Sequence, residues 1–368
     1  MALQFAIIYI LVVGLGILSA YQGGMFNEFV EEVHKIETDD EDWDSDEEEE
    51  DDDYDDDDEE SDDGGYASGA DNDSDSAYSL ATDVSDTESL RSSILNYKWV
   101  HGRRFHAYGD GTYCHELFRA VLDGKLYEAP IGKNPQNVLD VGCGTGIWAI
   151  DMADLHPSAE VIGVDLSPIQ PNFIPPNCRF EVDDINKEWT FPENKFDFIH
   201  IRYMTGTVPD WTELLKKAQR HLKPGGWIEH VELWGDARAD DDTMSPESPL
   251  KTWVKIFNQV AEKVGNPFFW NPAEEFEKAG LKNITEKKVK VPIGTWAKDK
   301  DLKQWGAWNR QFLLQGLEGF SIRSLTELLG WEYEKAQVFL VEMRKELLNP
   351  KLHSYVLVTT VYGQKSEE

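Results

Sequence analysis

The run Asn137-Val138-Leu139-Asp140-Val141-Gly142-Cys143-Gly144-Thr145-Gly146 constrains this chain more than any other stretch. A buried-strand pattern ends on glycines at alternate positions, and the helical stretch Ile147 to Leu155 follows at once. A strand that turns so sharply into a helix needs residues that tolerate positive φ. Glycines also let a ligand lie against the backbone, because no Cβ stands in the way. The dinucleotide fingerprint G-x-G-x-x-G has a different spacing. Counted from Gly142, its third glycine falls at position 147, which is Ile147.

The surrounding pattern predicts the fold class. Apolar strands are expected at Glu160 to Val164, Cys178 to Val182, Phe196 to Ile201 and Trp227 to Leu233. Helices are expected at Leu117 to Leu126 and Trp211 to Leu222. Strands alternating with helices imply an α/β, doubly wound parallel sheet. After Gly235 the pattern changes. Residues 244–280 and 296–349 read as helical and carry Trp253, Phe257, Trp305, Trp308 and Phe312. A strand at Ile284 to Val291 lies between them, and a last strand runs from Ser354 to Tyr362. The helical stretches are expected to form a lid over a substrate.

Two acids stand in phase with the glycine loop. Asp165 ends the second strand, where a carboxylate can accept both hydroxyls of a ribose. Asp184 and Ile185 follow the third strand and offer an acceptor for an adenine amino group and an apolar wall for its ring. Glycines that merely made a turn would leave both acids unexplained. Loop and acids together have the order found in class I methyltransferases, which bind S-adenosylmethionine. The expected cosubstrate residues are Asp140, Gly142, Gly144, Gly146, Asp165, Asp184 and Ile185.

Charge separates the domain from what precedes it. The chain has 368 residues and a formal charge of −35, with 70 acidic and 35 basic residues. Between Glu28 and Glu88 stand 31 carboxylates against the single base Lys35. The rest, with 39 acids against 34 bases, is nearly balanced, so a basic nucleic-acid-binding domain is excluded and no direct nucleic-acid contact is expected. Residues 26–93 are expected to be a disordered acidic tail, since they self-repel and have little to bury. Residues 1–25 are apolar, and residues 2–20 are long enough to attach to a membrane. They read as an anchor, a cleaved signal or a misplaced start, and no basic residue precedes Lys35 to orient them. Three cysteines, Cys114, Cys143 and Cys178, show no metal-ligand spacing and suit a reducing compartment, cytoplasmic or nuclear. No metal is expected.

The blocks NYKWVHGRRFHAY, LDGKLYEAPIG, VLDVGCGTGIWAIDMAD, PSAEVIGVDLSPIQPNFIPPNCRFEVDDI, FDFIHIRYMTG, HLKPGGWIEHVE and GLEGFSIRSLTELLGW resemble the fungal LaeA-like methyltransferases. The resemblance runs from Ile94 to about Lys365, so residues 94–368 are expected to form the methyltransferase domain. It implies a seven-stranded, Rossmann-like class I fold. It also implies a role in fungal secondary metabolism, either tailoring a small molecule or regulating through protein partners. Carried over by position, Arg103, Arg104 and Tyr108 belong to a pre-domain motif that would cover the cosubstrate. Between Tyr113 and Leu122 the chain is shorter than the family, in the region that should form this cap.

Methyl transfer is an in-line displacement at an activated carbon, so positioning supplies most of the catalysis, about 7–11 kcal/mol at best. A base, where one is needed, belongs at the ends of the fourth and fifth strands. His200, Arg202, Tyr203, Glu229 and Glu232 lie there, and His200 and Tyr203 are the expected catalytic residues. His200 and Arg202 share one strand face. The alternative to an enzyme is a non-catalytic scaffold on the same fold.

Overall fold

A computed structural model describes Trp99–Val100, Arg103–Arg104 and residues 112–367. The apolar residues 2–20 and the acidic residues 26–93 lie outside them. Among the described residues no helix is long and apolar enough to cross a membrane.

Seven strands form one sheet: β1 (Asn137–Val141), β2 (Glu160–Asp165), β3 (Cys178–Val182), β4 (Phe196–Arg202), β5 (Leu222–Leu233), β6 (Lys282–Pro292) and β7 (Tyr355–Gln364). Their order is β3-β2-β1-β4-β5-β7-β6, parallel except for β7, which runs antiparallel to both neighbours. That is the class I methyltransferase topology. The central parallel strands β1, β2 and β4 are covered on both faces, as such strands must be. Leu139, Val141, Ile162, Val164, Ile199 and Ile201 enter one core with Leu214 and Leu215 of α3 (Trp211–His221). The alternate residues Val138, Val161 and Phe198 enter another with Trp148 and Met152 of α2 (Ile147–Leu155).

Three local features differ from the sequence reading. The first helix, α1 (Thr112–Val121), ends before Leu126, because Asp123 and Gly124 take φ of 53° and 77° and turn the chain away. β5 begins at Leu222 rather than Trp227. Phe196 pairs with Leu222 but Phe198 with Trp227, so Lys223 to Gly226 bulge out within the strand, with Gly225 at φ 76°. The helical region also divides. α4 (Pro249–Val264), α6 (Lys300–Arg323, continued by a π-turn at Ser324–Leu328) and α7 (Tyr333–Leu347) share a third core with α1, built around Trp253, Phe257, Phe312 and Phe320. α5 (Pro272–Lys278), by contrast, sinks Phe276 into the α3-side core with Leu281 and Val361. The end of the expected 244–280 stretch is thus part of the sheet's own packing.

A polar ladder crosses the α2 face. Asp140, His200 and Glu229 occupy adjacent register positions on β1, β4 and β5. His200 Nδ1 lies 2.8 Å from Asp140 Oδ1, and the Trp148 ring stacks on the imidazole at 3.7 Å between centroids. Glu229 Oε2 accepts the backbone N–H groups of Glu128 and Ala129 at 2.7 and 2.6 Å, tying the α1–β1 connection to the sheet. Burial pushes the Glu229 carboxyl up to about 8 and the His200 imidazole down to about 4. Folded Glu229 therefore keeps a proton that the unfolded chain has lost, and it withdraws stability as pH rises from the ordinary glutamate range toward about 8. The variant Glu229→Gln should match the wild type near pH 5 and exceed it by about 1–3 kcal/mol at pH 8, levelling off beyond. Thermal or urea unfolding across pH 5–9 measures this; a constant difference between the two proteins would contradict it.

Candidate active site

The glycine loop hangs from β2: the N–H groups of Gly142 and Cys143 both donate to the carbonyl of Val164, at 2.8 and 3.0 Å. All its glycines are left-handed, Gly142 at φ 71°, Gly144 at 55° and Gly146 at 80°, yet each is needed for a different reason. A Cβ on Gly146 would overlap the Phe180 ring, and one on Gly142 would overlap the Met204 thioether. Among the described residues, a Cβ on Gly144 would meet no atom within 4 Å. Packing crowds Gly142 and Gly146, whereas the space over Gly144 is open among the described residues.

Asp165 and Gln170 hold that space open. Asp165 Oδ2 accepts the N–H of Gly144 at 2.8 Å, and Oδ1 accepts the N–H of Ser167 at 2.9 Å. Gln170 Nε2 donates to the carbonyls of the same two residues, at 2.6 Å to Gly144 and 2.9 Å to Ser167. Two side chains thus grip Gly144 and Ser167 by both backbone polar groups. Burial raises the Asp165 carboxyl to about 6. Asp184, also buried, receives the N–H of Asn186 at 3.0 Å, and Ile185 packs in the α3-side core behind it. An open glycine, a carboxylate at the end of β2 and a second one after β3 suit a nucleoside with an attached amino acid.

The residues expected to do chemistry divide between two environments. His200 is 0 % exposed and bonded to Asp140, so neither reaches the open side of the loop. Its expected use as a base gives way to a structural one, because a neutral imidazole with that environment has neither access nor basicity. Tyr203 stands just past β4 at φ 55°, a left-handed conformation that costs a non-glycine residue about 1–2 kcal/mol. Its N–H still donates to Val231, the next N–H (Met204) donates to Glu232 Oε2 at 3.0 Å, and Asn266 Nδ2 holds the Gly206 carbonyl at 3.0 Å. The turn is therefore over-determined. It aims the Tyr203 ring toward Phe118 and Phe312 and into a narrow apolar cavity of about 50 Å³ between the strand ends and the helical layer. Trp253, Phe257, Phe268 and Leu313 line that cavity. Burial holds the Tyr203 phenol well above its usual pKa, so it is a hydrogen-bond donor rather than a base.

α1 supplies the residues that the sequence did not reveal. His115 Nε2 lies 2.9 Å from Asp151 Oδ2 of α2, and Arg202 Nη2 lies 3.2 Å from His115 Nδ1. Arg202 also sits over the Phe118 ring at 5.2 Å. Gln170 lies in the SPIQP block that carried the resemblance, but nothing in its spacing indicates a partner 26 positions away. The backbones of Arg103 and Arg104 pair with Val100 and Trp99 as a two-residue antiparallel ladder. Their side chains and Tyr108 lie outside the described residues.

A family model described as a methyltransferase domain matches residues 113–334. The methyltransferase pytC of Aspergillus terreus is 38% identical over 308 residues, covering 78% of this chain and 94% of that one. The secondary metabolism regulator LAE1 of Cochliobolus heterostrophus is 38% identical over 277 residues, covering 69% and 90%. The secondary metabolism regulator laeA of Aspergillus fumigatus is 31% identical over 285 residues, covering 72% and 76%. With its strand order and nucleoside-type loop, this chain belongs to the S-adenosylmethionine-dependent methyltransferases, in the LaeA-like family.

Proposed function

We propose that the chain methylates an apolar or aromatic small molecule of fungal secondary metabolism, held in the cavity beside Tyr203. The observation that carries this reading is the lining of that cavity: aromatic and aliphatic side chains gathered just past the ends of β4 and β5. Gly142, Gly144 and Gly146 would seat the methionine and ribose portion, Asp165 the ribose hydroxyls, and Asp184 with Ile185 the adenine. Bound there, the cosubstrate supplies an electrophilic methyl carbon on a sulfonium. An acceptor lone pair would take up that methyl as its bond to sulfur gives way and the sulfonium is neutralised, so the residues around the acceptor need only hold it in line.

No described residue lining the cavity carries an imidazole, amine or carboxylate. On this reading the described residues contribute orientation of the acceptor. The acceptor's proton, if it has one on the nucleophilic atom, leaves for solvent, so the reading favours acceptors already ionised or nucleophilic near neutral pH. Tyr203, as a neutral donor, would orient a polar atom of the acceptor. The names of the LAE1 and laeA relatives support a second reading, in which methyl transfer serves regulation through protein partners. Full-length chain incubated with methyl-labelled cosubstrate and fungal metabolite extract should put label into a small organic-soluble compound. Label found only on protein would favour the regulatory reading, and no label at all would favour a scaffold.

Three further outcomes are expected. Gly144→Asp should abolish S-adenosylmethionine binding in calorimetry while shifting unfolding by only about 1–2 kcal/mol, because only the ligand space is filled. Wild-type affinity should depend on pH through Asp165, whose ionised form accepts the ribose hydroxyls. Binding should be constant above about pH 7 and weaken by up to roughly tenfold per pH unit below about 6, and Asp165→Asn should flatten this profile. Ala237→Leu, which adds bulk to the cavity wall, should cost about 1–3 kcal/mol of stability and lower methyl transfer at least roughly tenfold. Its cosubstrate affinity should stay within about twofold; an equal loss of both would refute a separate acceptor cavity.

A further inference from the structure

Arg202 ends β4. Ile201 pairs with Val141, so Arg202 closes the strand that lies next to the one from which the glycine loop springs. The side chain is largely withdrawn from water, and this desolvation lowers its pKa. A guanidinium in such surroundings is ordinarily paired with an anion. Among the described residues no carboxylate makes an ion pair with it. Asp140 is engaged by His200, and Asp151 by His115. Both are felt by Arg202 only through space.

The groups that do touch it are neutral. Arg202 donates from Nη2 to His115 Nδ1, and its guanidinium rests on the Phe118 ring. His115 is held as a neutral acceptor: with Nε2–H on Asp151, its Nδ1 keeps a lone pair for the arginine, and burial lowers its pKa. These contacts orient the guanidinium but use only one of its five N–H donors on a hydrogen bond. The cation is fixed in place at the end of β4, without a counter-charge from the described residues.

We propose that Arg202 is the receptor for the α-carboxylate of the cosubstrate, with His115 and Asp151 as the positioning residues behind it. The proposal rests on the reading of the glycine loop as the cosubstrate site. It adds the part of the ligand that neither the glycines nor the strand-end acids can recognise, since S-adenosylmethionine carries its only carboxylate at the methionine end. An arginine fork matches a carboxylate bidentately, and charge-assisted pairs of this kind are the strong ones. The rival is Arg103, which the family resemblance places near the cosubstrate.

Calorimetry on the full-length chain with S-adenosylmethionine and decarboxylated S-adenosylmethionine, which differ only in that carboxylate, tests this. The wild type should prefer the carboxylate form by about 10–100-fold. Arg202→Met should bind the two compounds within about twofold of each other, at the wild-type affinity for the decarboxylated form, and Arg202→Lys should lie between. Arg103→Met should keep the full preference. Equal binding of both compounds by the wild type overturns the proposal. So does a preference that survives in Arg202→Met, or one lost in Arg103→Met while Arg202→Lys keeps it. Should Arg202→Met fail to fold by circular dichroism, the wild type, Arg202→Lys and Arg103→Met still decide. Failure of the wild type to bind either compound removes the cosubstrate reading and this proposal with it, whereas binding without preference removes this proposal alone.

Discussion

The double grip on Gly144 and Ser167 is the interaction on which the site depends. Asp165 takes their N–H groups and Gln170 takes their carbonyls. A left-handed glycine with open space above it has no packing of its own to keep it in place. The grip supplies that restraint. It has an electrostatic cost, because Asp165 is buried and its ionised form is disfavoured. The N–H donors offset part of that cost, and ribose hydroxyls would offset more.

The turn after β4 links this loop to the rest of the molecule. Met204 lies where a Cβ on Gly142 would be, so it fills the gap beneath the first glycine. Its neighbour Tyr203 faces the aromatic cavity. One strained turn therefore supports the cosubstrate loop on one side and shapes the acceptor space on the other. Glu232 and Asn266 hold it from β5 and from the segment after α4. Strain of this sort persists only where the surroundings over-determine it, and it gathers at functional sites.

Much of the scaffold was legible in the residues. Buried parallel strands are short apolar runs, and β1 to β4 were legible as such, as was the helix α3 between β4 and β5. The glycine spacing and the acids at 165 and 184 were legible because their roles follow from position along a strand. The early start of β5 was not, because Lys-Pro-Gly-Gly reads as a turn and only pairing with β4 shows that it is a bulge. His200 was misread for a related reason. Its period-2 face was correctly shared with Arg202, but which element covers that face depends on the placement of α2, and Trp148 covers it completely. Gln170, His115 and Asp151 gave no signal at all, since polar side chains acquire partners only through contacts distant in sequence.

The sequence by itself determined the fold class and the nucleoside-type loop. Backbone stereochemistry and alternation of apolar residues are local properties, and three glycines before a helix admit few conformations. It also determined that charge is concentrated ahead of the domain, where 31 carboxylates face one lysine. Tertiary structure alone decided which glycine has open space above it among the described residues, which histidine is buried, where the aromatic cavity lies, and that Arg202 is set against a neutral histidine. Each of these depends on what stands opposite a residue rather than beside it in the chain, and only folding brings those partners together.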